Sequence, residues 1–364
     1  MAVNLLKKDN DRMMLRHIIR QSMAEKYGLM PEQLISERIS REWQAMEQLA
    51  MVEHVLLLYR LKQWLDKKHK PYWLKGAGSS SLILYILGIA RTNPLPAHYY
   101  CPACRKVEWI DGAKDGFDVT DERVCECGTV MTSDGHNLPW QNTWGGPKGY
   151  LEFNLPSSIM GLITRYYNIF YSWRNYRDID VLNEEGKKAV RSAKLRFCFT
   201  IDERYLAMLL GDFARRPKEL KSRPEFFRLI SDELEVQRPI RFEATTFSDI
   251  LALKGLSMGA GTWDREAKTM LLSGSFTPKD LLAFREDVFS YFLEHGYTED
   301  EAWLALRDVY LGRGVRNVKE GMAEAYDSWK LERCRKINYI SSKCAMIEYM
   351  LSLYTIYLNT YAGR

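Results

Sequence analysis

One stretch, from Lys75 to Cys127, restricts this chain more than any other. It opens with Lys75-Gly76-Ala77-Gly78-Ser79-Ser80-Ser81, a run of small residues that feeds directly into the apolar segment Leu82 to Ile89. A small-residue loop ahead of a helix leaves backbone N–H groups free at the helix start, where the dipole favours an anion, usually a phosphate. A glycine-rich turn without a ligand has the same pattern. Next come Asn93-Pro94-Leu95-Pro96, a stiff extended connector, and Cys101-Pro102-Ala103-Cys104. Cys125-Glu126-Cys127 follows across a polar loop. Four thiolates close a tetrahedral zinc site, and the Cys101–Cys104 spacing is that of a zinc knuckle. The second pair is an irregular C-x-C, so His98 and His136 stand as substitute ligands, and reduced free thiols are the plain alternative. The expected ion is a structural zinc that contributes folding energy rather than catalysis, because all four positions are filled.

A chain of 364 residues can form two or three compact units with proper cores. No apolar run approaches a membrane span, and the N-terminus carries Lys7, Lys8, Asp9 and Asp11 in place of a signal-peptide hydrophobic region. The expectation is a cytoplasmic protein with no membrane partner, its seven cysteines reduced or metal-bound. A net charge of +5 fits nucleic acid touched through one face, and equally a solvated surface of mixed charge.

Periodicity predicts helices through most of the chain. Asn10 to Tyr27 sets Met14, Ile18, Ile19 and Met23 among charges, an amphipathic helix that Gly28 can end. Pro31 suits the first turn of the next helix. Gln33 to Lys68 reads as one long or broken helical region, apolar at Leu34, Ile39, Trp43, Met46, Leu49, Met51 and Val55, and is assigned to core and scaffold. Tyr166, Phe170 and Trp173 share a helical face with Arg165, Arg174 and Arg177 interleaved, a helix core or a base-stacking surface. Arg215-Arg216-Pro217-Lys218, with Lys221 and Arg223, is the densest basic run. From Thr246 onward the pattern is a helical bundle: Pro278 opens one helix, Phe284 to Phe292 is amphipathic, and Thr298-Glu299-Asp300-Glu301 starts another with a capping box.

These motifs, in this order, resemble the polymerase core of the PolC-type DNA polymerase III alpha chain, a bacterial C-family replicative polymerase. The residues that carry the resemblance are Lys75 to Ser81, Asn93-Pro94-Leu95-Pro96-Ala97-His98-Tyr99 and the cysteines from Cys101 to Cys127. A later block adds Thr246-Phe247-Ser248-Asp249-Ile250, Gly255-Leu256-Ser257-Met258-Gly259, Trp263, Gly312-Arg313-Gly314 and Cys334 to Tyr339. The resemblance covers roughly Tyr27 to Asn154 and Thr245 to the C-terminus. It implies an α+β, predominantly helical fold: a palm/fingers-like core with a small zinc-binding insertion. The implied parts are an N-terminal helical and phosphate-loop part over 1–97, a zinc element over 98–140, a divergent middle over 141–244 and a fingers-like domain over 245–364. It also implies that Lys75, Gly76, Gly78, Ser79 and Ser80 bind phosphate or DNA, and that Arg313 and Lys343 face the incoming nucleotide or template. Lys75 stands for a family arginine, Ser79 for a family glycine, and Ala345 for a family histidine.

The carboxylates depart from that pattern. Nucleotidyl transfer needs two divalent ions held by several carboxylate oxygens, and an Asp-x-Asp pair on a strand supplies two of them on one face. The counterpart here is Tyr150-Leu151-Glu152-Phe153-Asn154, in which one acid is a tyrosine and the other is Glu152. The Asp-x-Asp that follows, Asp178-Ile179-Asp180, lies further along and reads as a displaced metal pair or, more simply, a solvated turn. The family's third carboxylate has no counterpart. Magnesium is therefore not expected. The leading expectation is a polymerase-core protein that is catalytically inactive alone and binds primed or single-stranded DNA or a replisome protein. The alternatives are a minimal or split DNA polymerase completed by a complementary chain, with Glu152, Asp178 and Asp180 as its acids, and a non-enzymatic decoy or regulator of the replicative polymerase.

Overall fold

Three helices fill the first seventy residues because the apolar positions recur on one face of each. In the computed structural model, which describes residues 2–119, 121–147, 149–163, 188–191, 195–200 and 246–351, these are α1 (Ala2–Tyr27), α2 (Gln33–Gln48) and α3 (Val52–Lys67). Gly28 ends α1 with φ +84°, a conformation that costs glycine little. Pro31 lies outside α2, whose N-cap is Glu32, so it precedes the helix instead of opening it. The region from Gln33 to Lys68 is broken at Ala50, which takes φ +50° between α2 and α3. The buried stripe is Leu15, Ile19, Ile35, Trp43, Met46, Val55, Leu58, Leu61 and Leu65. Met14 and Leu34 face outward, one residue off the stripe.

The described residues form two compact units. The first takes the chain up to residue 110, the residues from 122 to 200, and 351. Its four-stranded sheet combines β1 (Trp73–Lys75), β5 (Leu151–Pro156), β6 (Lys188–Arg191) and β7 (Leu195–Thr200) in the order β1-β5-β7-β6. β1 runs antiparallel to β5, β5 parallel to β7, and β6 antiparallel to β7. Strand alternation sends Leu74, Leu151, Phe153, Leu155, Leu195 and Phe197 into the core, and Tyr72 stacks on Phe153 at 5.3 Å. The second sheet is the frame of the cysteine element: β2 (His98–Tyr100) lies between β3 (Val107–Trp109) and β4 (Thr132–Asp134), antiparallel to both. Two short helices belong to this unit as well, α4 (Leu82–Ile86) and α5 (Gln141–Trp144).

The second unit takes residues 111–121 together with the chain from 246 to 350. It is helical: α6 (Phe247–Met258), α7 (Arg265–Leu272), α8 (Arg285–Glu294), α9 (Glu299–Tyr310), α10 (Ser328–Lys336) and helical residues 343–350. The Thr298/Glu301 capping box forms at the start of α9, as its sequence predicts. Pro278 opens only a 3-10 turn, Pro278–Asp280, which ends where the backbone becomes extended at Leu281. Helices with two small sheets make the fold α+β.

Candidate metal centre and phosphate loop

β1 delivers Lys75 to the head of the small-residue loop. Gly76–Ser80 is a 3-10 turn, and α4 follows after the N-cap Ser81. Gly76 takes φ +71° and a Cβ there would meet nothing within 4 Å, so there is open space beside the loop's first, partly buried residue. Its later residues turn inward. Gly78, Ser79 and Ser80 are buried, and the Ser79 hydroxyl donates to the Leu74 carbonyl at 3.1 Å. Thr143 on α5 donates to the Ala77 carbonyl at 2.8 Å.

The α4 amides are already taken by a residue that periodicity assigns to scaffold. Glu42 of α2, fully buried, accepts from the Leu82 amide at 2.8 Å and the Ile83 amide at 3.1 Å. The Ser81 hydroxyl donates to the same carboxylate at 2.5 Å, and the Arg38 guanidinium at 2.7 Å. Arg38 also donates to the carbonyls of Ser80 and Leu138, both at 2.9 Å. The signal was present in the sequence: Glu42 is an acid on the stripe of Ile35, Trp43 and Met46, with Arg38 one turn before it.

Of the candidate acids, Glu152 sits on β5 in register with Lys75 on β1 and with Arg196 on β7. The Lys75 ammonium lies 3.2 Å from its carboxylate. Tyr150 is exposed, and Asn154 occupies the next position on the same face as Glu152. Asp178 and Asp180 lie outside the described residues, as do Tyr166, Phe170, Trp173 and the basic run from Arg215.

The four cysteines converge. The Sγ atoms of Cys101, Cys104, Cys125 and Cys127 all lie within 4.8 Å of one another. Cys101 and Cys127 are 3.5 Å apart, and Cys104 and Cys125 3.4 Å. A tetrahedral zinc with Zn–S bonds near 2.3 Å needs sulfurs about 3.8 Å apart. Among the described residues this is the one group of three or more such donors close enough to share an ion. Each pair sits on a tight turn: Arg105 takes φ +64° after Cys104, and Gly128 φ +83° after Cys127. The Cys125 amide donates to the Thr129 carbonyl at 2.9 Å and the Gly128 amide to the Cys125 carbonyl at 2.8 Å, which brings both thiols of the short C-x-C to one side. The hydroxyl and amide of Thr129 push the Cys127 thiol down to about 6.

Neither histidine joins the cluster. His98 Nδ1 is 2.7 Å from the Pro96 carbonyl and its ring packs edge-on to Trp109. Burial lowers its pKa. His136 is buried where the backbone of residues 136–138 pairs with Asn93-Pro94-Leu95. Asn93 donates to Asp134 at 3.0 Å, and the Gly135 amide does so at 2.8 Å. The proline connector therefore serves as a docking strip for the end of the cysteine element.

In the second unit, Arg313 is half-exposed and 3.6 Å from Asp308, between Gly312 and Gly314, which take φ +68° and +69°. Lys343 is buried. Its ammonium lies 3.0 Å from Asp115 and donates to the Lys114 carbonyl at 3.0 Å, and its amide donates to Glu286 at 2.8 Å. Lys343 thus holds the 111–121 segment within its unit, and the expected nucleotide-facing position is committed to an internal ion pair.

Residues 13–170 match the family model for the bacterial DNA polymerase III alpha NTPase domain. Over most of its length the chain is similar to PolC-type DNA polymerase III enzymes. It is 22% identical to the PolC-type enzyme of Caldanaerobacter subterraneus, with 95% of this chain and 33% of that protein covered. The PolC-type enzyme of Lacticaseibacillus paracasei is 21% identical over 93% of this chain and 31% of its own length, and that of Thermotoga petrophila 20% over 96% and 34%. The chain spans about a third of the length of these curated relatives. The first alignment runs over 464 positions against a chain of 364 residues, so at least 100 positions face gaps here.

Proposed function

We propose that this chain is a PolC-related scaffold that binds primed or single-stranded DNA and does not itself transfer nucleotides. One observation carries the loss of chemistry: the strand acid Glu152 is paired with the Lys75 ammonium at 3.2 Å, with Asn154 next along the strand face and Tyr150 just ahead of the strand. A hard divalent cation needs about six oxygen ligands, several of them carboxylate. A single carboxylate beside a fixed positive charge is a poor start for such a shell. The four cysteines suit zinc in donor type, number and spacing, and the ion's part is to hold the turns at 101–105 and 125–129 together. Lys75 and Arg313 are half-exposed cations, each in an ion pair within its own unit, that a phosphate backbone would reach by competing with Glu152 and Asp308.

Primer extension with magnesium or manganese tests the first half, and the expected product is none. Template-dependent incorporation that disappears in Glu152→Gln would overturn it. Fluorescence anisotropy with primed DNA tests the second half: binding is expected to weaken steeply as salt rises, because phosphate contacts release counterions. No binding at low salt would refute the DNA reading and leave a protein partner as the occupant of the scaffold. Elemental analysis is expected to find one zinc per chain.

A further inference from the structure

A carboxylate carried fully out of water is tolerated only when donors replace its hydration. Glu42 has five: the amides of Leu82 and Ile83, the Ser81 hydroxyl, the Arg38 guanidinium, and the Trp144 indole at 3.4 Å. The Ser81 hydroxyl that donates to Glu42 also accepts from the Leu84 amide at 3.2 Å and the Trp144 indole at 3.2 Å, so the cluster is closed around the acid. Two backbone amides, a hydroxyl and a guanidinium converging on two oxygens are the donor set that a bound phosphate would use. We infer that Glu42 is the resident anion of the Gly76–Ser81 turn: the chain's own carboxylate occupies the α4 amides, closes them to exogenous phosphates, and sets the geometry of the loop. The head of the loop, Lys75 and Gly76, lies outside this cluster. This holds whether or not the chain binds DNA, since it concerns contacts inside one unit.

Sodium tripolyphosphate titrated into the full chain, selectively labelled with 15N-leucine and 15N-isoleucine, provides the test. The Leu82 and Ile83 amide resonances of the wild type are expected to stay in place at constant ionic strength. A saturable shift of both would show that phosphate reaches them and would overturn the inference. Two variants probe the anion itself. Glu42→Gln keeps the volume but offers an amide N–H to groups that are already donors, and is expected to melt at least about 5 °C lower. Glu42→Gly is expected to melt lower still and to regain more than half of the loss in formate, with no response from the wild type. A folded Glu42→Gly that is indifferent to formate would also overturn it. Should neither variant fold, the wild-type titration decides alone.

Discussion

A histidine shows how one residue ties stability to pH. His98 is buried on β2, and burial lowers its pKa below the ordinary value of about 6.5. The neutral ring is favoured in the fold, so this contribution is complete above the unfolded value and is lost as pH falls through the folded one. Stability of the first unit is therefore expected to decline as pH drops below about 6.5, with the decline blunted in His98→Asn; chemical denaturation at several pH values measures both. Asp134 acts in the same direction at lower pH. Burial raises its pKa, but the charges of His136 and His98, the Asn93 amide and the Gly135 N–H outweigh it and hold the carboxyl below the usual range. In the second unit Arg333, buried on α10, donates to Asp264 at 2.9 Å and to the Thr262 carbonyl at 2.6 Å. Asp264 in turn caps α7 through the Ala267 amide at 2.8 Å. Asp264 is about one third exposed and keeps its Ala267 amide, so Arg333→Ala chiefly orphans the Thr262 carbonyl and is expected to cost about 1–3 kcal/mol in a denaturant titration.

At the scale of elements, the cysteine turns and the proline strip answer different questions. The turns are local: a C-x-x-C and a C-x-C followed by glycine fold back within five residues, and for that reason the four thiols could be named from their spacing. Cys101→Ser is expected to abolish metal retention and to make the 98–134 element protease-sensitive, measured by elemental analysis and limited proteolysis. The strip is not local. Asn93-Pro94-Leu95-Pro96 reads as a stiff connector, yet its carbonyls serve the amides of residues 136–138 at 2.9–3.1 Å, forty positions on. Gly135 makes that contact: it takes φ +95°, and a Cβ there would lie 2.2 Å from the Pro96 carbonyl. Gly135→Ala is expected to destabilise the first unit by about 2 kcal/mol or more, because strain and a backbone clash coincide. By contrast Thr298→Ala, which removes only the cap of α9, is expected to cost about 1 kcal/mol.

For the whole molecule, two units with separate cores predict two melting transitions. A strong chelator is expected to lower the transition of the unit that holds the cysteines by more than it moves the other, and calorimetry with and without chelator checks this. The fold class was legible through the family resemblance; the helical character of the first and last regions, each of the two cysteine pairs and the capping box at Thr298 were determined by the sequence alone. Each depends on residues a few positions apart, where spacing and side-chain chemistry suffice. Tertiary structure alone decided that Glu42 sits in the α4 amides, that Lys75 pairs with Glu152, and that Lys343 pairs with Asp115. Those pairs join residues 40, 77 and 228 positions apart. A charged side chain's role follows from which opposite charge or orphan amide is buried beside it, and folding, not local spacing, makes that choice.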